Sequence, residues 1–251
     1  MSTTELLYLK DMSLLSSSAQ IIAVDPLAKT IILDRTPFYP QGGGQPSDRG
    51  TLKSSSTTFE VTAVKKSPIT GDILHFLNTV DTLHPGQSVE THVDPETRSL
   101  HTRVHSAGHL LDHAVEDLAF PFEVRSAYHF LPSPYVEYAI VDLSIDISPE
   151  YLKSLQFTLE KASNSIVNEA IPVEVYNSSV SDLSPWRQNL LPEAVKQSGT
   201  VRLVKFDRAG LNPVPCSGTH VTNSSQIKPI RIKKISVNKE KRTIRVTYVL
   251  F

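Results

Sequence analysis

A single cysteine, Cys216, stands in 251 residues, so no intramolecular disulfide can form and a reducing compartment is compatible. No apolar run approaches the ~20 residues of a membrane helix. The start, Met1-Ser-Thr-Thr-Glu5-Leu-Leu-Tyr-Leu-Lys10-Asp, has no basic stretch followed by an apolar one, so no secretory leader is expected and the expected location is the cytoplasm. Charge of one sign is also missing overall. The net value of −1 argues against a protein that coats nucleic acid through its global charge. Disordered and fibrous classes are excluded by 39% apolar and 20% charged residues, an ordinary globular balance with room for one large domain or two modest ones. Internal repeats are absent, and the only low-complexity pieces, Ser16-Ser17-Ser18 and Ser54-Ser55-Ser56, read as loops.

The small net charge hides an uneven distribution. From Lys228 to the end stand Lys228, Arg231, Lys233, Lys234, Lys239, Lys241, Arg242 and Arg245 against Glu240, an excess of seven positive charges. Such a face can meet a phosphate backbone, with Lys233 and Lys234 as contact candidates. It can equally be the charged rim that keeps an edge hairpin from pairing with other chains.

Residues 1 to about 92 read as short strands, at Leu6–Lys10, Gln20–Val24, Thr30–Asp34, Phe59–Lys65, Ile73–Leu77 and Ser88–Val93. Turn chemistry separates them: Asp25-Pro26, Thr70-Gly71-Asp72 and His84-Pro85-Gly86. This spacing predicts a small antiparallel β-barrel. Within it, Phe38-Tyr39-Pro40-Gln41-Gly42-Gly43-Gly44-Gln45-Pro46-Ser47-Asp48 has three consecutive glycines, which admit positive φ and close approach of a ligand to the main chain. It lacks the Lys-Ser/Thr of a phosphate-binding P-loop. Taken alone it is a hairpin loop.

Asp94-Pro95-Glu96 supplies an N-cap, a proline at the first helical position and an acidic first turn. The helix it opens extends to about Leu118 or Phe120 and stops at Pro121. It carries a histidine at every fourth position: His101, His105, His109 and His113. Residues i and i+4 share a helix face with Cβ atoms about 5–6 Å apart, close enough for two imidazoles to hold one metal ion. The row spans about 18 Å at 1.5 Å per residue, so one ion can use only one neighbouring pair, and the spacing leaves three.

Strands are expected next at Arg125–Leu131 and Val136–Leu143. A second helix starts at Ser148-Pro149-Glu150, with Leu152, Leu155, Leu159, Ala162 and Ile166 along one buried stripe. A strand Pro172–Tyr176, a polar and partly helical connection through Trp186 and Leu190, and a strand Thr200–Phe206 follow. Asn212-Pro-Val-Pro-Cys216-Ser-Gly-Thr-His220 then places a thiol and an imidazole on a turn. Pro229–Ser236 and Arg242–Leu250 close the chain as a hairpin around Asn238-Lys239-Glu240. The fold class is therefore α+β: a β-barrel domain over residues 1–93, then an α+β domain over residues 94–251.

Two imidazoles of the row with Cys216 and His220 make a ligand set suited to tetrahedral zinc. The zinc-protease motif His-Glu-x-x-His shares the helical spacing, but Ser106 stands where its general base belongs. A cysteine-protease nucleophile is the other reading, and the flanks of Cys216 do not match those signatures.

His105-Ser-Ala-Gly-His109-Leu-Leu together with Cys216-Ser-Gly-Thr-His220-Val resembles the paired HxxxH and CxxxH motifs of alanyl-tRNA synthetase editing domains and the freestanding AlaX editing proteins. The glycine block resembles the segment that precedes the editing core in the longer AlaX forms. These blocks stand in the family's order over residues 38 to 221. The resemblance implies a small N-terminal barrel, and a zinc ion held by His105, His109, Cys216 and His220, which would also be the catalytic residues. It implies hydrolysis, in trans, of the ester of tRNA(Ala) mischarged with serine, with glycine as a second acyl group. Gly43 and Gly44 are the expected close-approach positions for substrate. Ser126, where the family has a substrate-contacting Thr or Ser, is the expected partner of the serine hydroxyl; the local sequence Val124-Arg125-Ser126-Ala127-Tyr128 departs from the family's glycines. Ser217 likewise stands where glycine is usual. Four protein ligands describe a closed site, whereas a hydrolytic zinc keeps a position open to water; the sequence leaves that unresolved. The alternatives are a threonyl-tRNA-synthetase-type editing domain, whose second motif usually carries Arg-Gly-Pro between Cys and His, and a non-catalytic zinc-stabilised RNA-binding module.

Overall fold

Strict alternation, as in Ser88-Val-Glu-Thr-His-Val93 where every second residue is buried, builds the first half of the chain from strands with one face inward. In the computed structural model, residues 4–142, 144–183, 188 and 191–251 are described. The chain forms two units, Met1–Thr102 and Arg103–Phe251.

The first unit contains β1 (Glu5–Leu6), β2 (Ser16–Asp25), β3 (Thr30–Leu33), β4 (Arg35–Thr36), β5 (Gly50–Ser54), β6 (Thr57–Lys66), β7 (Ile73–Leu77) and β8 (Ser88–Val93). Six of them close an antiparallel barrel in the order β2-β3-β7-β6-β5-β8. Its interior is filled by Ile21, Ile31, Leu33, Leu52, Val61 and Ile73, among others. Register shifts in β2 at Ile21/Ala23 and in β6 at Val61/Ala63 are the bulges that let a short barrel curve.

Two expectations need correcting here. Leu6–Lys10 is not a strand: Glu5–Leu6 pair in parallel with Arg35–Thr36, and Leu7–Leu9 form a 3-10 turn. Ser16-Ser17-Ser18 is not a loop but the start of β2. It pairs with β8, and the Ser17 hydroxyl lies 3.1 Å from that of Thr91, so pairing with a neighbouring strand overrides the turn preference of serine.

The glycine block forms a tight hairpin. Gly42 and Gln45 exchange backbone hydrogen bonds, Gly43 and Gly44 adopt φ of 53° and 76°, and the Tyr39 hydroxyl donates to the Gly42 carbonyl. Asp48 closes the loop by accepting from the Tyr39 amide at 2.6 Å and binding the buried Arg98 guanidinium, which also donates to the Pro37 and Met12 carbonyls.

Helix α1 (Pro95–Asp117) starts under its Asp94 cap, whose carboxylate accepts from the Thr97 amide at 2.6 Å. The second unit continues with β9 (Phe122–Tyr128), β10 (Tyr135–Ile140), α2 (Pro149–Asn168), β11 (Val173–Ser179), α3 (Glu193–Ser198), β12 (Thr200–Phe206), β13 (Val214–Pro215), β14 (Ile230–Asn238) and β15 (Thr243–Leu250). Trp186 and Leu190, expected in a partly helical connection, and Leu143 lie outside the described residues. The order β14-β15-β10-β9 makes one antiparallel sheet, and β11-β12-β13 a smaller one. Val136, Tyr138, Ile244, Val246 and Tyr248 are buried on the inner face of the larger sheet, as are Val104, Ala107, Leu110, Leu111 and Ala114 of α1. Tyr138 and Tyr248 tie sheet to helix through their hydroxyls, which donate to the Asp112 carboxylate and the Val104 carbonyl, each at 2.8 Å. α2 buries Leu155, Leu159 and Ile166. Its polar side chains cap the outer edge of β14: Asn164 pairs with both backbone groups of Ile230, Glu160 accepts from the Ile232 amide, and Gln156 donates to the Ile232 carbonyl. No described helix is long and apolar enough to cross a membrane.

Candidate metal centre

His105 and His109 lie one helical turn apart on the buried side of α1, and their rings stack at 5.1 Å. The turn after β13 brings Cys216 and His220 to them. β12 holds that turn: Leu203 pairs with Pro215, the Cys216 amide donates to the Arg202 carbonyl, and the Arg202 guanidinium donates to the Cys216 and Gly218 carbonyls at 2.8 and 2.9 Å. The potential ligand atoms of His105, His109, Cys216 and His220 all lie within 4.8 Å of one another.

The donor set and its spacing fit zinc. Tetrahedral bonds of about 2.3 Å to sulfur and about 2.0–2.1 Å to nitrogen put N and S about 3.5 Å apart. Here Cys216 Sγ lies 3.4 Å from His105 Nε2 and 3.3 Å from His220 Nε2. Burial, then the neighbouring imidazoles, pushes His105 well below the usual imidazole range; burial brings His109 down to about 3 and pushes His220 well down. Neutral imidazole is the ligating form. Burial lifts the Cys216 thiol to about 11, so without a cation beside it this cysteine is a protonated thiol. With its neighbouring histidines held toward the neutral form, the site gives Cys216 no imidazolium partner of the kind a cysteine-protease nucleophile uses.

Support around the four residues comes from side chains that the sequence did not single out for this work. The Ser106 hydroxyl accepts from the Val221 amide at 3.2 Å and lies 3.3 Å from His220 Nδ1. With Nε2 aimed at the sulfur, Nδ1 carries the proton and donates to Ser106, which sets the tautomer of a ligand. The Gly218 amide points at Cys216 Sγ from 3.3 Å, a donor suited to thiolate. His129 is a fourth imidazole beside the cluster: it is buried, stacks on His105 at 4.6 Å, and its Nδ1 lies 2.8 Å from the Tyr248 hydroxyl. Because that hydroxyl donates to Val104, it accepts from His129. No local signal marks His129, a lone histidine just beyond the end of a strand.

The remaining candidates are not members of this cluster. His113 is buried edge-on against the Phe206 ring at 5.2 Å, and His101 is half-buried in the first unit. Ser126 pairs with Glu137 on β9 and is exposed. Its neighbour Ala127 pairs with the fully buried Val136, so the Ser126 side chain lies on the outer face of the sheet. Gly43 and Gly44 form the tip of the hairpin in the first unit, with Gly43 exposed.

Residues 8–97 match the family described as tRNA synthetases class II (A). Over 98% of its length the chain is 32% identical to the alanyl-tRNA editing protein AlaX-M of Methanosarcina acetivorans, of which it covers 99%. It is 34% identical, over 81% of its length, to 21% of an alanine–tRNA ligase of Methanothrix thermoacetophila. Over 80% of its length it is 32% identical to 44% of the alanyl-tRNA editing protein Aarsd1 of Rattus norvegicus.

Proposed function

The chain belongs to the AlaX-M alanyl-tRNA editing proteins, and from that premise we propose that it is an aminoacyl-tRNA deacylase that hydrolyses Ser-tRNA(Ala) in trans at a zinc site. The observation that carries this reading is the convergence of four ligand atoms within 4.8 Å from a helix and a turn more than a hundred residues apart.

His105, His109, Cys216 and His220 would hold the ion, which when bound supplies positive charge beside an ester carbonyl or its attacking water. The chain's own residues prepare that place. Ser106 holds the His220 tautomer, Arg202 and the Gly218 amide order the Cys216 turn, and the stacked rings of His129 and His105 exclude water from one side of the cluster. A site that hydrogen-bonds a hydroxyl distinguishes serine from alanine far better than an apolar pocket; Ser126, expected from the sequence to do this, faces the outer side of its sheet and is not placed to reach an acyl group at the cluster. Gly43 and Gly44 are our candidates for close approach of the substrate.

Deacylation of Ser-tRNA(Ala) and Ala-tRNA(Ala) by the wild type and by His105→Ala/His109→Ala tests the reading. We expect serine release well above the spontaneous rate, lost in the variant; release at the spontaneous rate by the wild type would leave a non-catalytic RNA-binding module. About one zinc per chain, falling sharply in Cys216→Ala, is expected for the metal.

A further inference from the structure

The outer face of the larger sheet carries a continuous row of flat groups. Register places Tyr128 of β9 opposite Tyr135 of β10, and Glu137 of β10 opposite Arg245 of β15. The Phe130 ring stacks on Tyr128 at 4.5 Å and 18°, and Tyr128 on Tyr135 at 5.5 Å and 21°. The Arg245 guanidinium lies 4.0 Å from the centre of the Tyr135 ring. Glu137 holds it there, accepting from Nε at 3.2 Å and from a terminal nitrogen at 2.8 Å. Core packing does not account for this row: Tyr128 is 42% exposed and the Arg245 side chain 44%.

Beside β15, the strand β14 carries Arg231, Lys233 and Lys234, and Arg242 stands in the turn just before β15, all four exposed. Protecting an open strand edge would explain such charge. Yet the outer edge of β14 is already capped at Ile230 and Ile232 by Asn164, Glu160 and Gln156 of α2, so edge protection does not account for the charge at that end of the strand.

Aromatic rings and arginine planes beside lysines and arginines are what unpaired nucleotides bind: bases stack on the flat groups and phosphates meet the cations. A duplex keeps its bases stacked internally and cannot use such a row. Sequence position also matters, because Tyr128 and Phe130 flank His129, whose ring stacks on His105. One strand end therefore presents the flat row on one side and reaches the metal centre on the other.

We propose that Phe130, Tyr128, Tyr135 and Arg245 form a stacking platform for the unpaired 3′-terminal nucleotides of the tRNA acceptor end. The identity of the RNA rests on the deacylase reading above; the preference for unpaired over paired nucleotides rests on the row itself.

Binding of two uncharged RNA hairpins tests it, one an acceptor stem with its unpaired 3′ overhang and the other the same stem ending blunt. The wild type is expected to bind the overhang hairpin about tenfold more tightly, the effect of roughly one stacked base. Tyr128→Leu and Arg245→Lys lose that preference, Tyr128→Phe keeps it, and Arg245→Lys retains the salt dependence because the charge stays. Equal affinity of the wild type for both hairpins, or a preference unchanged in both Tyr128→Leu and Arg245→Lys, overturns the platform. The measurement needs no hydrolysis, so the two readings fail separately. Overhang preference without serine release removes the deacylase and leaves the platform, and serine release without overhang preference does the reverse.

Discussion

A Cβ added to Gly108 would stand 2.3 Å from Cε1 of His129. The glycine between the two helix histidines is thus the space into which a third imidazole fits, and His129 is pinned there by Tyr248. Two opposed effects act on Gly108→Ala. Intrinsic propensity in a helix interior favours alanine by about 1 kcal/mol, whereas forcing atoms into a filled core costs about 1–3 kcal/mol. Since the obstacle is a buried ring rather than a flexible chain end, the second effect wins. The variant is expected to melt below the wild type in thermal unfolding; a higher melting temperature would show that His129 moves aside freely.

Ser106 stands where a zinc protease carries its catalytic glutamate, and the structure gives it a different task. Its hydroxyl serves the Val221 amide and His220 Nδ1 together. Ser106→Ala leaves both buried donors without this acceptor and lets the His220 ring turn. Loss of such an outer partner typically lowers metal affinity about 10–100-fold. Competition with a chromophoric zinc chelator measures this, and an unchanged affinity would mean that the His220 tautomer is set elsewhere.

Regular alternation and proline-led helix starts were legible in the residues. Ile73–Leu77, Ser88–Val93 and Thr200–Phe206 have the bounds expected of them, and α2 begins at Pro149 with Ser148 as its cap. Gly50–Ser54 was missed because Leu52 is its only large apolar residue; the strand exists through pairing on both sides, with β6 and β8. Arg125–Leu131 lies three residues beyond the observed Phe122–Tyr128, since short apolar stretches around turns fix boundaries poorly. The His row and the Cys216 turn each offered ligands, but periodicity could not rank three histidine pairs. The residues between His105 and His109, read with the Cys216 turn as a motif pair, selected the central pair, and the fold brings residues 105, 109, 216 and 220 within reach of one another. His129, Tyr248 and the Asp48–Arg98 pair carry no local signal because their partners lie far away in the chain.

The Asp48–Arg98 pair closes the glycine hairpin with both side chains at 5% exposure or less. Removing one member of a buried ion pair strands the other charge and costs about 3–5 kcal/mol. Arg98→Met is therefore expected to lower the urea midpoint strongly. Arg98→Lys is expected to recover only part of the loss, since an ammonium cannot reproduce a fork that reaches Asp48, Pro37 and Met12 together. Adding Asp48→Asn to Arg98→Met removes the stranded charge, so the double variant should be more stable than Arg98→Met alone.

His75 gives the barrel an acid sensitivity of its own. Its ring is fully buried, 2.8 Å through Nε2 from the Thr36 hydroxyl, and burial lowers its pKa from 6.5 to about 4. The folded state therefore resists protonation that the unfolded chain accepts. The contribution to stability is fully present above pH 6.5 and is lost as pH falls toward 4, by on the order of 3 kcal/mol at 1.36 kcal/mol per pH unit. Carboxylates and the metal centre add acid sensitivity of their own, so the informative quantity is the difference between wild type and His75→Gln, which lacks the titrating group. That difference is expected to favour the wild type most at pH 7 and to shrink steadily between pH 6.5 and 4. Parallel stability curves across that interval would show that His75 is protonated equally easily in the folded barrel.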